Sequence, residues 1–136
     1  MRQAVVEGVS EVAYPVYPDL RGQSVFITGG GSGIGAWFVD AFAAQGAQVA
    51  FVSLSAENGE ALCAAVEQRR GVRPRFHACD IRDIEALTRV MQQVGPARVL
   101  INNAARDDRH TLESLVVRGW DDSLNTNLRP YIFTPK

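Results

Sequence analysis

The chain has 136 residues, of which 46% are hydrophobic and 21% are charged, and its net charge is −1. These values are typical of a single globular domain and exclude a disordered chain. The balanced charge argues against a nucleic-acid or anionic-membrane partner, and no apolar run reaches the roughly 18 residues of a membrane span. Because the N-terminus also lacks the features of a secretory signal, we expect a cytoplasmic protein with no nucleic-acid or membrane partner.

The predicted elements alternate between strands and helices. Residues 1–19 are predicted to form an irregular arm, because Tyr14-Pro15-Val16-Tyr17-Pro18 favours extended backbone, and residues 20–136 to form the folded domain. Apolar runs predict strands over residues 24–28, 47–53, 73–79 and 98–103. Helical periodicity predicts helices over residues 33–45, 57–70 and 83–94, and again from about residue 112 after a loop over 104–110.

This alternation predicts an α/β fold with a parallel, doubly wound sheet. Ligands of such sheets bind beyond the carboxyl ends of the strands. The candidate site residues are therefore those that close or follow the four predicted strands.

A glycine-rich segment, Thr28-Gly29-Gly30-Gly31-Ser32-Gly33-Ile34-Gly35, joins the first strand to the first helix. A turn of this kind brings bare backbone N–H groups and a helix N-terminus close to a phosphate. Gly29 and Gly33 suit a positive φ or a close approach of the ligand, and Gly35 allows the helix to lie close to a strand. Ser32 either caps the helix or binds a phosphate. A tight turn without a ligand is the alternative, and the other strand-end residues favour nucleotide binding. The predicted cofactor contacts from this segment are Thr28, Gly29, Gly31, Ser32, Gly33, Ile34 and Gly35.

The cysteines and histidines give no sign of a metal site. Cys63 and Cys79 fit neither a zinc-binding spacing nor a disulfide framework, so we interpret both as buried small hydrophobic residues in a reducing compartment. A metal or redox site is the less favoured alternative. His77 falls within a strand and His110 in a loop, and neither has a metal-like companion.

The segment Thr28-Gly-x-x-x-Gly-x-Gly resembles the cofactor motif of the short-chain dehydrogenase/reductase family. Cys79-Asp80-Ile81 resembles the family's acid after the third strand, and the resemblance implies that the Asp80 carboxylate and Ile81 border the adenine ring. Two adjacent amides that close an apolar strand need partners, which favours a site role for them. They begin Asn102-Asn103-Ala104-Ala105, which is similar to the family's Asn-Asn-Ala-Gly, with Ala105 in place of glycine. The resemblance implies that this segment steadies the central sheet and borders the cofactor.

Trp120-x6-Asn127 resembles the start of the helix that carries the family's structural and catalytic asparagine. The implied role of Asn127 is to bend the helix and to hold a water molecule in a proton relay. Each residue also has a plainer interpretation. Asp80 could cap the helix that starts near Asp83, Asn102 and Asn103 could satisfy loop backbone, and Asn127 could be a solvated helix residue. Trp37 and Trp120 are predicted to be packing anchors.

The resemblance implies a Rossmann-type sheet, here incomplete, with about four strands in the order 3-2-1-4. It further implies an NAD(P)-dependent oxidoreductase that interconverts a secondary alcohol and a ketone, for example of a sugar or polyol. A catalytically silent nucleotide-binding or interaction module is the alternative. A methyltransferase that uses S-adenosylmethionine fits less well, because Thr28-Gly29 and Asn102-Asn103 do not suit it.

The choice between NAD and NADP stays open. An aspartate at the end of the second strand would bond the ribose hydroxyls of NAD. Ser53 stands there, followed by Leu54 and Ser55, so no acid repels the 2′-phosphate of NADP. No arginine or lysine stands at Ser32, Leu54 or Ser55 to attract that phosphate. The balance predicts a slight preference for NADP.

The family's catalytic serine and Tyr-x-x-x-Lys pair come later than any position in this chain. Tyr131 and Lys136 do not replace them, since four residues separate the two and Pro135 lies between. We therefore expect the chain to represent the cofactor-binding part of a truncated member and to be inactive alone. Its apolar fourth strand would lie at an unprotected edge, which predicts marginal stability or self-association.

Overall fold

The computed structural model describes residues 14–134, so residues 1–13 of the predicted arm and residues 135–136 lie outside the described residues. A short 3-10 turn, Pro18–Leu20, leads into four strands: β1 (Ser24–Thr28), β2 (Gln48–Ser53), β3 (Arg75–Ala78) and β4 (Val99–Asn102). The helices are α1 (Gly33–Ala44), α2 (Ala56–Arg70), α3 (Ile84–Val94), α4 (Val117–Asn127) and α5 (Arg129–Phe133).

The four strands form one parallel sheet in the order β3-β2-β1-β4. In the register, Thr28 at the end of β1 lies beside Val52 of β2 and Asn102 of β4. The predicted α/β class, the parallel sheet and the strand order are confirmed. Because all four strands run in the same direction, the segments that follow them meet at one edge of the sheet.

The core consists of two apolar clusters, one on each face of the sheet. Val25, Ile27 and Phe51 face α1 and α2, whereas Phe26 and Val52 face α3. This alternation along β1 and β2 explains why both strands read as continuous apolar runs in the sequence. The rings of Phe51 and Phe76 lie 5.3 Å apart and extend the first cluster to β3.

The last predicted helix starts later than expected and is interrupted. Instead of a helix from about residue 112, Thr111 and Ser114 form a turn in which each backbone N–H donates to the other residue's hydroxyl oxygen. These local bonds compete with helix formation, so α4 begins only at Val117. The chain then leaves helical geometry at Leu128, and Pro130 sits in the first turn of α5.

Trp37, which was predicted to be a packing anchor, is half-buried on α1. The prediction for Trp120 was wrong, because 54% of this residue is exposed on α4. None of the residues of α4 is buried, and an aromatic residue in a helical pattern does not reveal how much of its helix is covered.

Asp40 is a fully buried carboxylate on α1. It accepts hydrogen bonds from Arg69 and Arg70 at the end of α2, with N–O distances of 3.1 and 2.7 Å in the two ion pairs. The Tyr14 hydroxyl donates to the same carboxylate at 3.2 Å. This Asp40 cluster ties together two helices and the described end of the arm.

Candidate functional site

A cleft of about 530 Å³ lies beyond the carboxyl ends of the four strands. It is lined by the end of β2, by segments that follow the four strands, by Asn58 of α2 and by Thr126 of α4. The structure brings together seven of the predicted cofactor residues in its lining, namely Gly29, Ser32, Ser53, Asp80, Ile81, Asn103 and Ala104. Thr28, Gly31, Gly33, Ile34, Gly35, Asn102 and Asn127 do not line it.

The glycine-rich turn is crowded at Gly29 and Gly35, two of the three positions where glycine was predicted to matter, and also at Gly31. Gly29 has a φ of +69°, and a Cβ there would lie 2.8 Å from the Ala104 Cα. A Cβ on Gly35 would overlap the Gly29 carbonyl oxygen and lie 2.7 Å from the Asn103 Nδ2. A Cβ on Gly31 would overlap the Ser53 hydroxyl. Only glycine therefore allows the turn to lie this close to the end of β2 and to the segment after β4.

The N-terminus of α1 differs from those of the next two helices. Ser55 and Asp83 cap α2 and α3 by accepting hydrogen bonds from the backbone N–H groups of Asn58 and Ala86. The Ser32 side chain makes no such bond to α1 within the described residues, and it lines the cleft. Of the two roles predicted for Ser32, helix capping is therefore not the one seen.

The first residue of α1 leaves room for a ligand. Gly33 has a φ of +52°, and a Cβ on it would meet no atom within 4 Å. The first backbone N–H groups of a helix carry partial positive charge and have no partner within the helix. An uncapped N-terminus with open space beside it fits the pyrophosphate of a dinucleotide.

Thr28 and Asn103 form a latch between β1 and β4. The buried Thr28 hydroxyl oxygen accepts hydrogen bonds from the backbone N–H groups of Asn103 and Ala104, at 3.0 and 3.1 Å. The Asn103 side-chain amide donates to the carbonyl oxygens of Thr28 and Gly29, at 3.2 and 3.1 Å. These bonds hold the end of β1 and the first residue of the turn against the segment that follows β4.

The other two asparagines have different surroundings. Asn102 is half-buried, and its Oδ1 has no hydrogen-bond partner among the described residues. The Asn127 side chain accepts from the Arg106 backbone N–H and donates to the Arg106 carbonyl oxygen, both at 2.8 Å. The interpretation of Asn127 as a simply solvated residue was wrong, because its amide holds the loop that follows β4.

Asp80 does not cap the following helix, since Asp83 does so. Its carboxylate instead forms an ion pair with Arg82, in which Arg82 Nη2 and Asp80 Oδ2 lie 2.6 Å apart. Hydrogen bonds from the Arg82 side chain are the main cause of the lowered pKa of Asp80. The alternative interpretation of Asp80 as a helix cap was therefore wrong.

Several cleft residues were not predicted from the sequence, among them Leu54, Asn58, Arg82 and Arg106. All but Asn58 lie within two residues of a predicted site residue, so their positions close to the strand ends could have identified them.

Tyr131 was excluded as a catalytic residue, and its hydroxyl donates to the Ala104 carbonyl oxygen at 3.0 Å. Nothing in the sequence pattern pointed to that long-range bond.

Both cysteines are buried, as predicted. Burial raises the pKa of Cys63 to about 11 and also raises the pKa of Cys79, which lines the cleft. Both thiols therefore stay protonated near neutral pH.

Across residues 14–134, no three His, Cys, Asp or Glu side chains are grouped as metal ligands. No helix in that range combines the length and apolar character needed to cross a bilayer.

The chain resembles known proteins over most of its length. The family model described as short chain dehydrogenase matches residues 23–136. The chain is 50% identical over 121 residues to the probable galactose dehydrogenase GalD of Rhizobium meliloti, covering 86% of this chain and 47% of the relative. It is 42% identical over 118 residues to the D-xylose 1-dehydrogenase of Caulobacter vibrioides, covering 87% of this chain and 47% of the relative.

A solved structure shows the same likeness. The short-chain dehydrogenase/reductase of Serratia marcescens superimposes with a TM-score of 0.81 at 32% identity, over 87% of this chain and 49% of that chain. The chain therefore spans about half the length of the curated relatives and of the solved structure that it matches.

Proposed function

Because this chain belongs to the short-chain dehydrogenase family, we propose that it binds a nicotinamide dinucleotide in the cleft at the carboxyl ends of its strands. The observation that carries this proposal is the uncapped N-terminus of α1 behind a turn that only glycine can form. The pyrophosphate would be held by backbone N–H groups from Ser32 to Gly35. Ser53 would face the ribose of the adenosine half, and Ile81 and Asp80 would border the adenine ring.

The remaining predicted residues have supporting or bordering roles in this proposal. Thr28, Gly29 and Asn103 hold the turn against the segment after β4, and Ala104 borders the nicotinamide half. Asn102 offers an acceptor at the end of β4, and Ile34 lies exposed beside the turn. Asn127 fixes the loop that contains Arg106 and thereby has a supporting rather than a chemical role.

We propose that the whole enzyme is an NAD(P)-dependent oxidoreductase that interconverts a secondary alcohol and a ketone of a sugar or polyol. The names of the relatives, a probable galactose dehydrogenase and a D-xylose 1-dehydrogenase, support this substrate class. A bound nicotinamide would supply or accept the hydride. The residues of this chain bind and orient the cofactor, and the chain alone is expected to be inactive because it has no Tyr-x-x-x-Lys pair.

A slight preference for NADP is part of the proposal. Ser53, Leu54 and Ser55 follow one another at the end of β2, and all three line the cleft. None is an acid that would repel a 2′-phosphate. A direct comparison of the affinities for NAD and NADP by calorimetry tests this preference, and tighter binding of NAD would overturn it.

Self-association and a cytoplasmic location complete the proposal. Apolar side chains that are exposed on α4 and α5, such as Trp120 and Ile132, support self-association. The cytoplasmic location is supported by two cysteines that are free thiols.

A pair of substitutions at Gly33 tests dinucleotide binding. Gly33→Asp places a carboxylate beside the N-terminus of α1, whereas Gly33→Asn adds a side chain of nearly the same shape without the charge. Both residues tolerate a positive φ better than most, and the Cβ has room. We expect Gly33→Asp to bind either dinucleotide at least about tenfold more weakly than Gly33→Asn, because its charge repels the pyrophosphate.

Calorimetry with NAD and NADP measures this difference, and circular dichroism checks that both variants stay folded. Equal affinities of the two variants would contradict a pyrophosphate at this position. If the folded parent chain binds neither dinucleotide at millimolar concentration, the proposed function fails.

A further inference from the structure

Arg82 occupies the hydrogen-bonding positions of the carboxylate that the family resemblance assigns to the adenine ring. The Asp80 Oδ1 accepts from the backbone N–H and from Nε of Arg82, both at 3.0 Å. The Asp80 Oδ2 accepts from Nε at 3.0 Å and from Nη2 at 2.6 Å. A carboxylate offers about four acceptor positions, so this pairing leaves Asp80 little capacity for a further donor such as an adenine amino group.

The same pairing holds the Arg82 guanidinium in a fixed plane. Fork-like pairing uses the edge of a guanidinium and leaves its two faces open. The Arg82 side chain is 44% exposed, and the residue lines the cleft. One cleft wall therefore presents a flat cation whose orientation is set by Asp80.

Leu54 stands in the same cleft and has no other evident role. It is 73% exposed, although its neighbours at the end of β2 are buried or half-buried. Leu54 follows β2 and Arg82 follows β3, and these two strands are paired side by side. An apolar side chain and a guanidinium face that line one cleft suit a flat heteroaromatic ring.

We propose that Arg82 carries the adenine ring of the bound dinucleotide on its guanidinium face, with Leu54 as the apolar contact and Asp80 as the positioning residue. This inference rests on the proposed function, because it names the residue that recognises the adenine half of the same cofactor. It differs from the role implied by family resemblance, in which the acid itself meets the ring.

Two variants of Arg82 and a matched control test the stacking. Arg82→Ala removes both charge and plane, whereas Arg82→Lys keeps the charge and removes the plane. Arg89→Ala removes an exposed arginine of α3 that does not line the cleft. Each protein is titrated with 5′-ADP, with 2′,5′-ADP, with nicotinamide mononucleotide and with the fluorescent analogue 1,N6-etheno-ADP.

We expect Arg82→Ala and Arg82→Lys both to weaken 5′-ADP binding by about three- to thirtyfold and to reduce the change in etheno-ADP fluorescence on binding. Affinity for nicotinamide mononucleotide should be unchanged, and Arg89→Ala should match the parent chain with every probe. Full retention of 5′-ADP affinity by Arg82→Lys would overturn the proposal, because a simple charge attraction to phosphate would then explain the role of Arg82. A loss confined to 2′,5′-ADP, with 5′-ADP unaffected, would overturn it as well.

A double-mutant cycle separates the positioning role of Asp80 from direct contact. Asp80→Asn should weaken 5′-ADP binding in the parent chain but have little further effect in the Arg82→Ala background. An equal effect in both backgrounds would show that Asp80 meets the ring itself. Failure of the parent chain to bind any dinucleotide would refute the proposed function, whereas binding that is indifferent to Arg82 would refute this inference alone.

Discussion

Gly35 shows at the scale of one residue how closely the turn and α1 approach each other. Its missing side chain leaves room for the Gly29 carbonyl oxygen and the Asn103 amide, which are themselves hydrogen-bonded. A methyl group at this point would have to displace the backbone of the turn rather than a flexible side chain. A side chain at Gly35 would therefore disturb both the packing of α1 against the turn and the shape of the cleft.

Gly35→Ala is expected to destabilise the chain by about 2 kcal/mol or more, because overpacking against the backbone outweighs the better helix propensity of alanine. Gly119→Ala is the matched control on α4, where the nearest atom to a new Cβ is 3.6 Å away. It should be neutral or stabilising by up to about 1 kcal/mol. Urea unfolding followed by circular dichroism measures both, and equal effects of the two substitutions would contradict the crowding.

The residues that the sequence could identify are those whose role depends on position along the chain. Gly29, Ser53 and Asn103 follow from a strand–turn–helix pattern and from the ends of apolar runs. The Asp80–Arg82 pair and the Tyr131–Ala104 bond were not predicted, because they depend on side-chain orientation or on residues brought together by folding. Sequence periodicity carries no information on either.

At the scale of elements, helix N-termini divide into capped and uncapped ones. Ser55→Ala and Asp83→Ala are expected to destabilise the chain by about 0.5–2 kcal/mol each, because each removes a capping bond. Ser32→Ala should change stability by much less, since Ser32 makes no capping bond to α1. Thermal unfolding without nucleotide measures the stability of the three variants. A loss of stability for Ser32→Ala as large as for Ser55→Ala and Asp83→Ala would show that Ser32 caps α1 after all.

The Asp40 cluster is the main polar connection between α1 and α2. Burial raises the pKa of Asp40, but hydrogen bonds from Arg70 and Arg69 outweigh burial and leave the pKa below its ordinary value of 3.8. A carboxylate with a lowered pKa stabilises the folded state above its unfolded pKa, and this contribution is lost as the pH falls through the folded value.

Asp40→Asn should therefore cost about 2–3 kcal/mol at neutral pH, because it removes the charge between two arginines that are partly exposed. The stability difference from the parent chain should be constant between about pH 7 and 5 and should shrink as the pH falls below 3.8. Tyr14→Phe is the milder control, since it removes one hydrogen bond worth about 1 kcal/mol. Denaturant unfolding across this pH range provides the measurement, and a difference that widens on acidification would contradict the assigned pKa direction.

The sequence predicted the sheet and its flanking helices to within about two residues at most ends, because apolar runs and glycine stops are local signals. The start of α4 was misplaced because the reciprocal Thr111–Ser114 bonds are not visible in hydrophobic periodicity. Boundaries set by side-chain hydrogen bonding are therefore the part of this fold that a pattern of apolar residues cannot supply.

On the scale of the whole molecule, two apolar features stay uncovered in the part of the chain that the structure describes. β4 pairs only with β1, and its other edge is free there. A stripe along α4 and into α5 exposes Val117, Trp120, Leu124, Leu128 and Ile132. Surfaces of this kind favour association.

Size-exclusion chromatography should therefore show species larger than the 14.8 kDa monomer at micromolar concentration. Leu128→Glu should shift the chain towards the monomer, because it places a charge in the middle of the stripe. Val16→Glu, at a position that is 81% exposed and outside the stripe, should not. A compact monomer at every concentration would contradict self-association.

The latch between Thr28 and Asn103 joins positions that are 75 residues apart in sequence. Anyone recombining segments between members of the family would have to carry both partners from the same parent. A crossover placed between them would preserve each motif and still separate two groups that are hydrogen-bonded to each other in this chain. A chimaera that takes both residues from one parent is therefore expected to keep the hydrogen bonds that join β1 to the segment after β4.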